Sequence, residues 1–390
     1  MAREHLIILA GIIAAMHQGK LPPAIPALEA ALSISLIEAG FLLSLVQLAG
    51  MTVGLFVGLA ADKIGLRKSL LTGLIIIMLA SFAGGFSTHV ATLLVCRAME
   101  GLGFLLIVLP APGLIRRLVA PQLLSRRLGL WGCYMGFGTG FALLLGPWFI
   151  EHFGWANWWW LLSVLTLVVT VLIVQKIPPD PVEQTAHSTP EHGWRSRLQL
   201  TLKAPGPWLI AIIFAMYSSQ WLSVVGFLPT LYAQAGFSGG MVGVLTASVA
   251  LINVTGNFGG GQLLHRGVLP QHLLFGGFTI MAMGSVLTFA SATESWPVLR
   301  FVAVLCFSAV GGMIPAALFS LAMQVAPSEN TVSTTVGWMQ QWSSFGQFAG
   351  PPLVAAVAVG VGGWQWTWAV TGSAALVGIL LARVLSARLA

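Results

Sequence analysis

The chain has 390 residues, of which 57% are hydrophobic and only 7% are charged. Soluble globular proteins carry roughly 25% charged residues, so a water-soluble fold is excluded. In a soluble protein the formal net charge of +7 would point to a nucleic-acid partner. In a chain this apolar it marks orientation in a bilayer, and no nucleic-acid partner is expected.

A helix needs about 20 apolar residues to cross the hydrocarbon core. Polar breaks and Gly/Pro turns predict an all-α membrane protein with twelve transmembrane helices, six in each half. The first half offers 6–28, 36–60, 69–88, 90–115, 128–150 and 157–175. The second offers 207–232, 240–264, 272–292, 297–325, 332–358 and 364–385. The expected organisation is therefore an N-terminal six-helix bundle (1–175), a cytoplasmic linker (176–206) and a C-terminal six-helix bundle (207–390). The linker opens with Pro178-Pro179-Asp180-Pro181 and contains Arg195 and Arg197. Span 1 is interrupted by His17-Gln18-Gly19-Lys20-Leu21-Pro22-Pro23 and lacks a small-residue cleavage site. It is therefore taken as a helix rather than a cleaved signal peptide.

With the N-terminus inside, the cytoplasmic segments collect Arg3; Lys63, Arg67, Lys68; Arg116, Arg117, Arg126, Arg127; Lys176, Arg195, Arg197, Lys203; Arg266; Arg383 and Arg388. Those are fifteen of the 18 basic residues, and the expected outer loops contain none. The positive-inside rule then places both termini in the cytoplasm of a cell with this protein in its inner (plasma) membrane. The three remaining cations, Lys20, Arg97 and Arg300, lie within spans. The cysteines Cys96, Cys133 and Cys306 sit singly in apolar runs, without the spacing of a disulfide framework or a metal site. No cofactor or metal is expected.

The halves repeat. Pro26 matches Pro229, Leu28 matches Leu231, Gly40 matches Gly243, Gly58 matches Gly261, Arg97 matches Arg300 and Pro112 matches Pro315, all at one offset. Six spans per half keep the two copies in the same orientation, the parallel kind of transporter repeat, which places a substrate path between the halves. Between spans 2 and 3 stands Gly58-Leu-Ala-Ala-Asp62-Lys63-Ile-Gly65-Leu66-Arg67-Lys68. Span 4 carries Arg97-Ala-Met-Glu100-Gly101-Leu-Gly103. In these two motifs, and in their order and topology, the sequence resembles the major facilitator superfamily over nearly its whole length. The first is close to that family's cytoplasmic G-x-x-x-D-[RK]-x-G-x-[RK]-[RK] signature. The second is similar to its R-x-x-Q-G-x-G motif, with Glu for Gln. In the second-half copy of the loop, His265 stands where Asp62 does. The stretches Leu21 to Pro26 and Pro112 to Gly132 resemble the cyanate/2-nitroimidazole transporter branch. The resemblance implies a monomer in which helices 1, 4, 7 and 10 line a central cavity. It also implies that Gly58, Asp62, Gly65, Arg67 and Lys68 gate the cytoplasmic side.

Arg97 lies a little over two turns beyond His89, about 12 Å deep at roughly 1.5 Å per residue. An arginine at a helix centre costs roughly 2.5–3.5 kcal/mol on insertion scales and demands a partner or a role. One reading is a clamp on an anion by Arg97 and Arg300, with Lys20 adding positive potential, since a guanidinium holds an oxyanion through two bonds. The other is structural: bonds to backbone carbonyls, or a local pair of Arg97 with Glu100 three residues on. Glu100 and His17 are the candidate proton carriers. Tyr217 and Gln220 on span 7, Trp131 and Tyr134 on span 5, and Trp338 and Gln341 on span 11 complete the candidate substrate contacts. Gln220 stands at the repeat position of His17, and Ser223 at that of Lys20.

The expected function is a secondary transporter of a small organic or inorganic anion, working by alternating access with proton coupling or exchange. The competing reading is a proton-coupled multidrug efflux antiporter, whose span-5 motif is echoed in Gly346-Gln-Phe-Ala-Gly350-Pro351 and in the Gly146-Pro147 pair. An enzyme is not expected: no nucleophile–base constellation and no nucleotide-binding loop occurs in the sequence.

Overall fold

The computed structural model describes residues 3–54, 65–180 and 194–389. Among them are twelve helices long and apolar enough to cross a membrane: α1 Arg3–Leu32, α2 Leu36–Gly54, α3 Leu66–Gly84, α4 Val90–Leu118, α5 Leu130–Phe153, α6 Trp155–Lys176, α7 Pro205–Gln234, α8 Gly239–His265, α9 Pro270–Phe289, α10 Pro297–Val325, α11 Val332–Val361 and α12 Trp364–Leu389. No strand occurs among the described residues. The all-α, twelve-helix expectation is borne out, with boundaries a few residues from those read in the sequence.

Proline and cap residues explain where the helices bend and begin. Pro22 and Pro23 lack the amide protons that would continue the ladder. Accordingly α1 runs as a helix over Arg3–Gly19, passes through a 3-10 turn at Pro22–Ala24 and resumes over Ile25–Leu32. α4 breaks in the same way at Pro110. α2 opens on a reciprocal cap in which Ser35 Oγ accepts from the Glu38 amide and Glu38 Oε2 accepts from the Ser35 amide. Such a box satisfies two otherwise orphaned helix-end donors.

The chain divides into two compact units. Unit 1 is Met1–His187 together with Gly226–Ser248, and unit 2 is Ser188–Val225 together with Val249–Ala390. The division therefore does not follow the linker alone, since the end of α7 and the start of α8 group with unit 1. The core of unit 1 is built on Trp158, Trp159, Leu21, Ile25, Leu28 and Phe227, and that of unit 2 on Phe278 and Phe307, all fully buried. In unit 1, α5 lies close against α1 because Gly138 faces the Ile12 carbonyl and Gly146 faces Pro23. A Cβ on Gly146 would come within 2.7 Å of the Pro23 ring, and one on Gly138 would collide with the Ile12 oxygen. Small residues are what permit such backbone approach in membranes.

Candidate functional site

In unit 1, α1, α3, α4 and α6 bring together the only closely packed group of buried charges among the described residues. His17 and Lys20 are one turn apart on α1, and Arg97 and Glu100 one turn apart on α4, so each pair shares a helix face. Lys20, Arg97 and Glu100 have no solvent exposure and His17 has 1%. Glu100 is bonded on both oxygens: Oε1 accepts from Lys20 Nζ at 2.5 Å and Oε2 from Arg97 Nη1 at 2.5 Å. Lys20 Nζ also donates to Ser81 Oγ of α3 at 2.8 Å and lies 4.6 Å from the ring centroid of Trp159 on α6. Arg97 further donates to the His17 carbonyl at 2.8 Å and, through Nε, to the Leu42 carbonyl at 3.2 Å. Its buried Nη2 has no protein partner.

The hydroxyls assign the histidine tautomer. Thr166 Oγ1 donates to the Leu162 carbonyl at 2.8 Å and so accepts from His17 Nε2, also at 2.8 Å. A neutral His17 with its proton on Nε2 then presents Nδ1 as an acceptor, 3.4 Å from Lys20 Nζ. Two cations thus share one carboxylate, and with His17 neutral the enclosed group carries one net positive charge. Buried ions require this degree of pairing, since desolvation costs several kcal/mol per ion.

Arg300 is placed differently. In unit 2 it is half-buried near the start of α10. It donates through Nη2 to the Ala290 carbonyl at 2.8 Å and through Nε to Thr293 Oγ1 at 3.3 Å. It closes the end of α9, where a cation also suits the helix dipole. Its hydrogen bonds are local. At the unit 2 positions matching His17 and Lys20, Gln220 donates to the Met216 carbonyl and Ser223 to the Ser219 carbonyl. Around them runs a neutral network. Tyr217 pairs with Asn253, Asn253 Nδ2 donates to the Ser308 carbonyl at 2.8 Å, and Trp221 Nε1 donates to Ser308 Oγ at 3.1 Å. Trp338 packs edge-on against Trp208 at 4.8 Å and near Trp342 at 6.0 Å, and Gln341 is half-buried on the same helix. In unit 1, Trp131 stacks on Tyr134 at 4.4 Å, and its indole lies over Gly11.

Of the gating set, Gly58 and Asp62 lie outside the described residues. Gly65 immediately precedes α3 and Arg67 and Lys68 lie in its first turn, and there a residue that sequence reasoning missed completes the contact. Asp180, just beyond α6, accepts from the amides of Arg67 and Lys68, each at 3.1 Å, and pairs with Arg117 Nη1 of α4 at 2.7 Å. Gly65 adopts φ +101°, and a Cβ there would come 2.5 Å from Asp180 Oδ2, so glycine is required twice over. Burial pushes the Asp180 carboxyl up. The two amides and the Arg117 guanidinium outweigh it and hold the group below its ordinary value. The Pro-Pro-Asp-Pro context marked the residue only as linker, which concealed its role. Ser81, Thr166 and Trp159 escaped as well, because a hydroxyl or indole within an apolar run carries no signal of its partner.

Among the described residues, twelve helices are long and apolar enough to cross a membrane, and those of unit 1 enclose a charged cluster. The sequence profile of the Major Facilitator Superfamily matches residues 7–351, and the chain belongs to that family of secondary transporters. The chain is similar to an uncharacterized MFS-type transporter of Mycobacterium tuberculosis, with 26% identity over 45% of this chain and 26% of that protein. It is similar to the methyl viologen resistance protein SmvA of Salmonella typhimurium, with 28% identity over 55% of this chain and 41% of SmvA. It also matches the riboflavin transporter RibZ of Clostridioides difficile, with 23% identity over 45% of this chain and 39% of RibZ. The match thus spans less than half the length of each of these relatives. In fold, the chain is similar to a bacterial homolog of the human lysosomal transporter Spinster in its inward-facing, occupied conformation. The TM-score there is 0.82 at 14% identity, covering 98% of this chain and 96% of the other. Against a D-xylose–proton symporter the TM-score is 0.74.

Proposed function

We propose that this chain is a proton-coupled secondary transporter of a small organic anion. The observation that carries the reading is the charge imbalance at Glu100: Lys20 and Arg97 share one fully enclosed carboxylate. A proton taken up or released in such a group changes the charge of the bundle interior. That change alters the affinity for a charged solute, and by linkage the solute alters the affinity for the proton by the same factor. The excess positive charge favours an anion and opposes a cation. The unpartnered Arg97 Nη2 is a donor that an oxyanion can satisfy, while Lys20 and His17, whose polar atoms are engaged, contribute through their field. Trp131, Tyr134, Tyr217, Gln220, Trp338, Gln341 and Arg300 remain the proposed further contacts. Gly65, Arg67 and Lys68, now with Asp180, remain the proposed gate. The placement near the cyanate/2-nitroimidazole branch, the inner-membrane location with both termini cytoplasmic, and the monomeric state belong to the same proposal.

The test is thermal unfolding of the purified chain with benzoate, nicotinate, nitrate, uridine and methyl viologen. A ligand at about 100 times its dissociation constant should stabilise by about 2.7 kcal/mol. The expected result is stabilisation by an organic anion that is lost in Arg97→Gln, followed by uptake of that anion into proteoliposomes on an imposed pH gradient. Stabilisation by methyl viologen alone, unaffected by Arg97→Gln, would overturn the reading.

That outcome would favour a second reading, an efflux antiporter of hydrophobic compounds. It is supported by the seating of α5 on α1 at Gly138 and Gly146, which sharpens the sequence echo at Gly146-Pro147. The resistance function in the name of SmvA supports it too.

A further inference from the structure

We infer that the proton carrier of the buried cluster is Lys20, rather than Glu100 or His17. The inference rests on the proton-coupled reading above and names the atom at which coupling occurs. Every group facing Lys20 Nζ can be named. α1 supplies His17, α3 supplies Ser81, α4 supplies Arg97, Glu100 and the Cys96 thiol, and α6 supplies Trp159. Thr166 of α6 stands behind the imidazole.

Arg97 keeps its proton at every working pH. Three single-proton steps then remain, and their charges separate them. Protonating Glu100 would take the counter-charge from two enclosed cations and leave the cluster at two net positive charges. Protonating His17 would add a third cation, and its Nδ1–H would point at the Lys20 ammonium across 3.4 Å, donor against donor. Releasing a proton from Lys20 Nζ leaves a neutral amine beside the Arg97–Glu100 pair, whose charges cancel. Only this step lowers the net charge held out of water, and burial penalises net charge most.

The bonds permit the same step. Ser81 Oγ donates to the Trp159 carbonyl at 2.9 Å, so toward Lys20 it is an acceptor. Glu100 Oε1 and Ser81 Oγ therefore hold two of the Nζ protons, and the third faces His17 Nδ1. That third proton is the one no oxygen holds, so it is the one Nζ can release, and it faces an acceptor rather than a donor. His17 Nδ1 thus adjoins the labile proton, and Lys20 stores it.

Trp159 is a built-in reporter, since the Lys20 ammonium lies 4.6 Å from its ring centroid and a charge at that range shifts indole emission. The experiment titrates the purified full-length chain from roughly pH 5 to 10, a range that brackets histidine and reaches lysine. Each variant is read as its difference from its own Trp159→Phe control. The expected result is one step in wild-type Trp159 emission. It should be lost in Lys20→Arg, which keeps its charge throughout, and in Lys20→Gln, which has none. It should persist in His17→Gln and, at a displaced pH, in Glu100→Gln. A step that survives Lys20→Arg, one abolished by His17→Gln or Glu100→Gln, or the absence of any wild-type step would overturn the inference. If Lys20→Arg does not fold by circular dichroism, Lys20→Gln and His17→Gln decide in the same way. No solute enters this titration, so a failed solute panel leaves it intact. A missing step beside a working panel would remove only the assignment to Lys20.

Discussion

Glu100 is the residue on which the interior of unit 1 depends. Its two oxygens each hold a cation with no access to water. Removing one partner of a buried pair costs about 3–5 kcal/mol, because it leaves an uncompensated charge. Glu100→Gln is therefore expected to lower thermal stability by that order, read as a fall in Tm of the purified protein. Adding Lys20→Met to Glu100→Gln removes one of the stranded cations and should recover part of the loss. The double-mutant cycle would then show a coupling well above the few tenths of a kcal/mol of independent sites, and additive losses would mean that the ion pair is not what holds these helices. Arg300→Ala is a contrast at the same scale. It deletes bonds to Ala290 and Thr293 at a half-exposed helix end, so its cost should stay near 1–2 kcal/mol, within the usual range for single substitutions.

At the scale of elements, the start of α3 is held by a residue more than a hundred positions away in sequence. Asp180 caps the Arg67 and Lys68 amides and bridges to Arg117 on α4. Hydrogen bonds to a charged group contribute about 1.5–3 kcal/mol, so Asp180→Asn should speed hydrogen exchange at those two amides by about tenfold or more. The sign with pH follows from the lowered carboxyl. Its stabilisation is fully present above the unfolded-state value of about 3.9 and is lost as pH falls through the folded-state value below it. The wild-type protection should therefore fade under acid, while the Asn variant shows no such step. This capping contact also illustrates what the sequence can and cannot disclose. Spans α1–α12 were legible because hydrophobic runs and their Gly/Pro breaks are local. The inward position of Lys20, Arg97 and Glu100 was legible because a charge within such a run is conspicuous. Their partners were not legible: whether Arg97 meets Glu100, Arg300 or a solute depends on rotations of α1 and α4 about their axes, which no local pattern in the sequence discloses. Asp180 was hidden for the same reason, since nothing around it in sequence names α3.

At the scale of the whole molecule, the two repeats differ in how they fill equivalent positions. Where unit 1 has His17 and Lys20, unit 2 has Gln220 and Ser223, and where unit 1 has Glu100 the repeat offset gives Ala303. Unit 2 is held in its interior by neutral groups, Tyr217, Asn253, Trp221 and Ser308, whose hydrogen bonds carry no proton-dependent charge near neutral pH. Protonation is therefore expected to act on one unit only. Asn253→Leu removes the bonds to Tyr217 and the Ser308 carbonyl and leaves polar groups unpaired, at about 1–3 kcal/mol. It should lower Tm by a similar amount at every pH between roughly 6 and 9, a range in which none of those neutral groups titrates. Lys20→Gln should instead alter the shape of the Tm–pH curve, because it removes a group whose charge belongs to the folded interior. Parallel curves for wild type and Asn253→Leu beside a non-parallel curve for Lys20→Gln would place the proton-sensitive element in unit 1. A change of shape in Asn253→Leu would show that the neutral network of unit 2 is itself coupled to protonation, and a division of labour between the repeats would no longer stand.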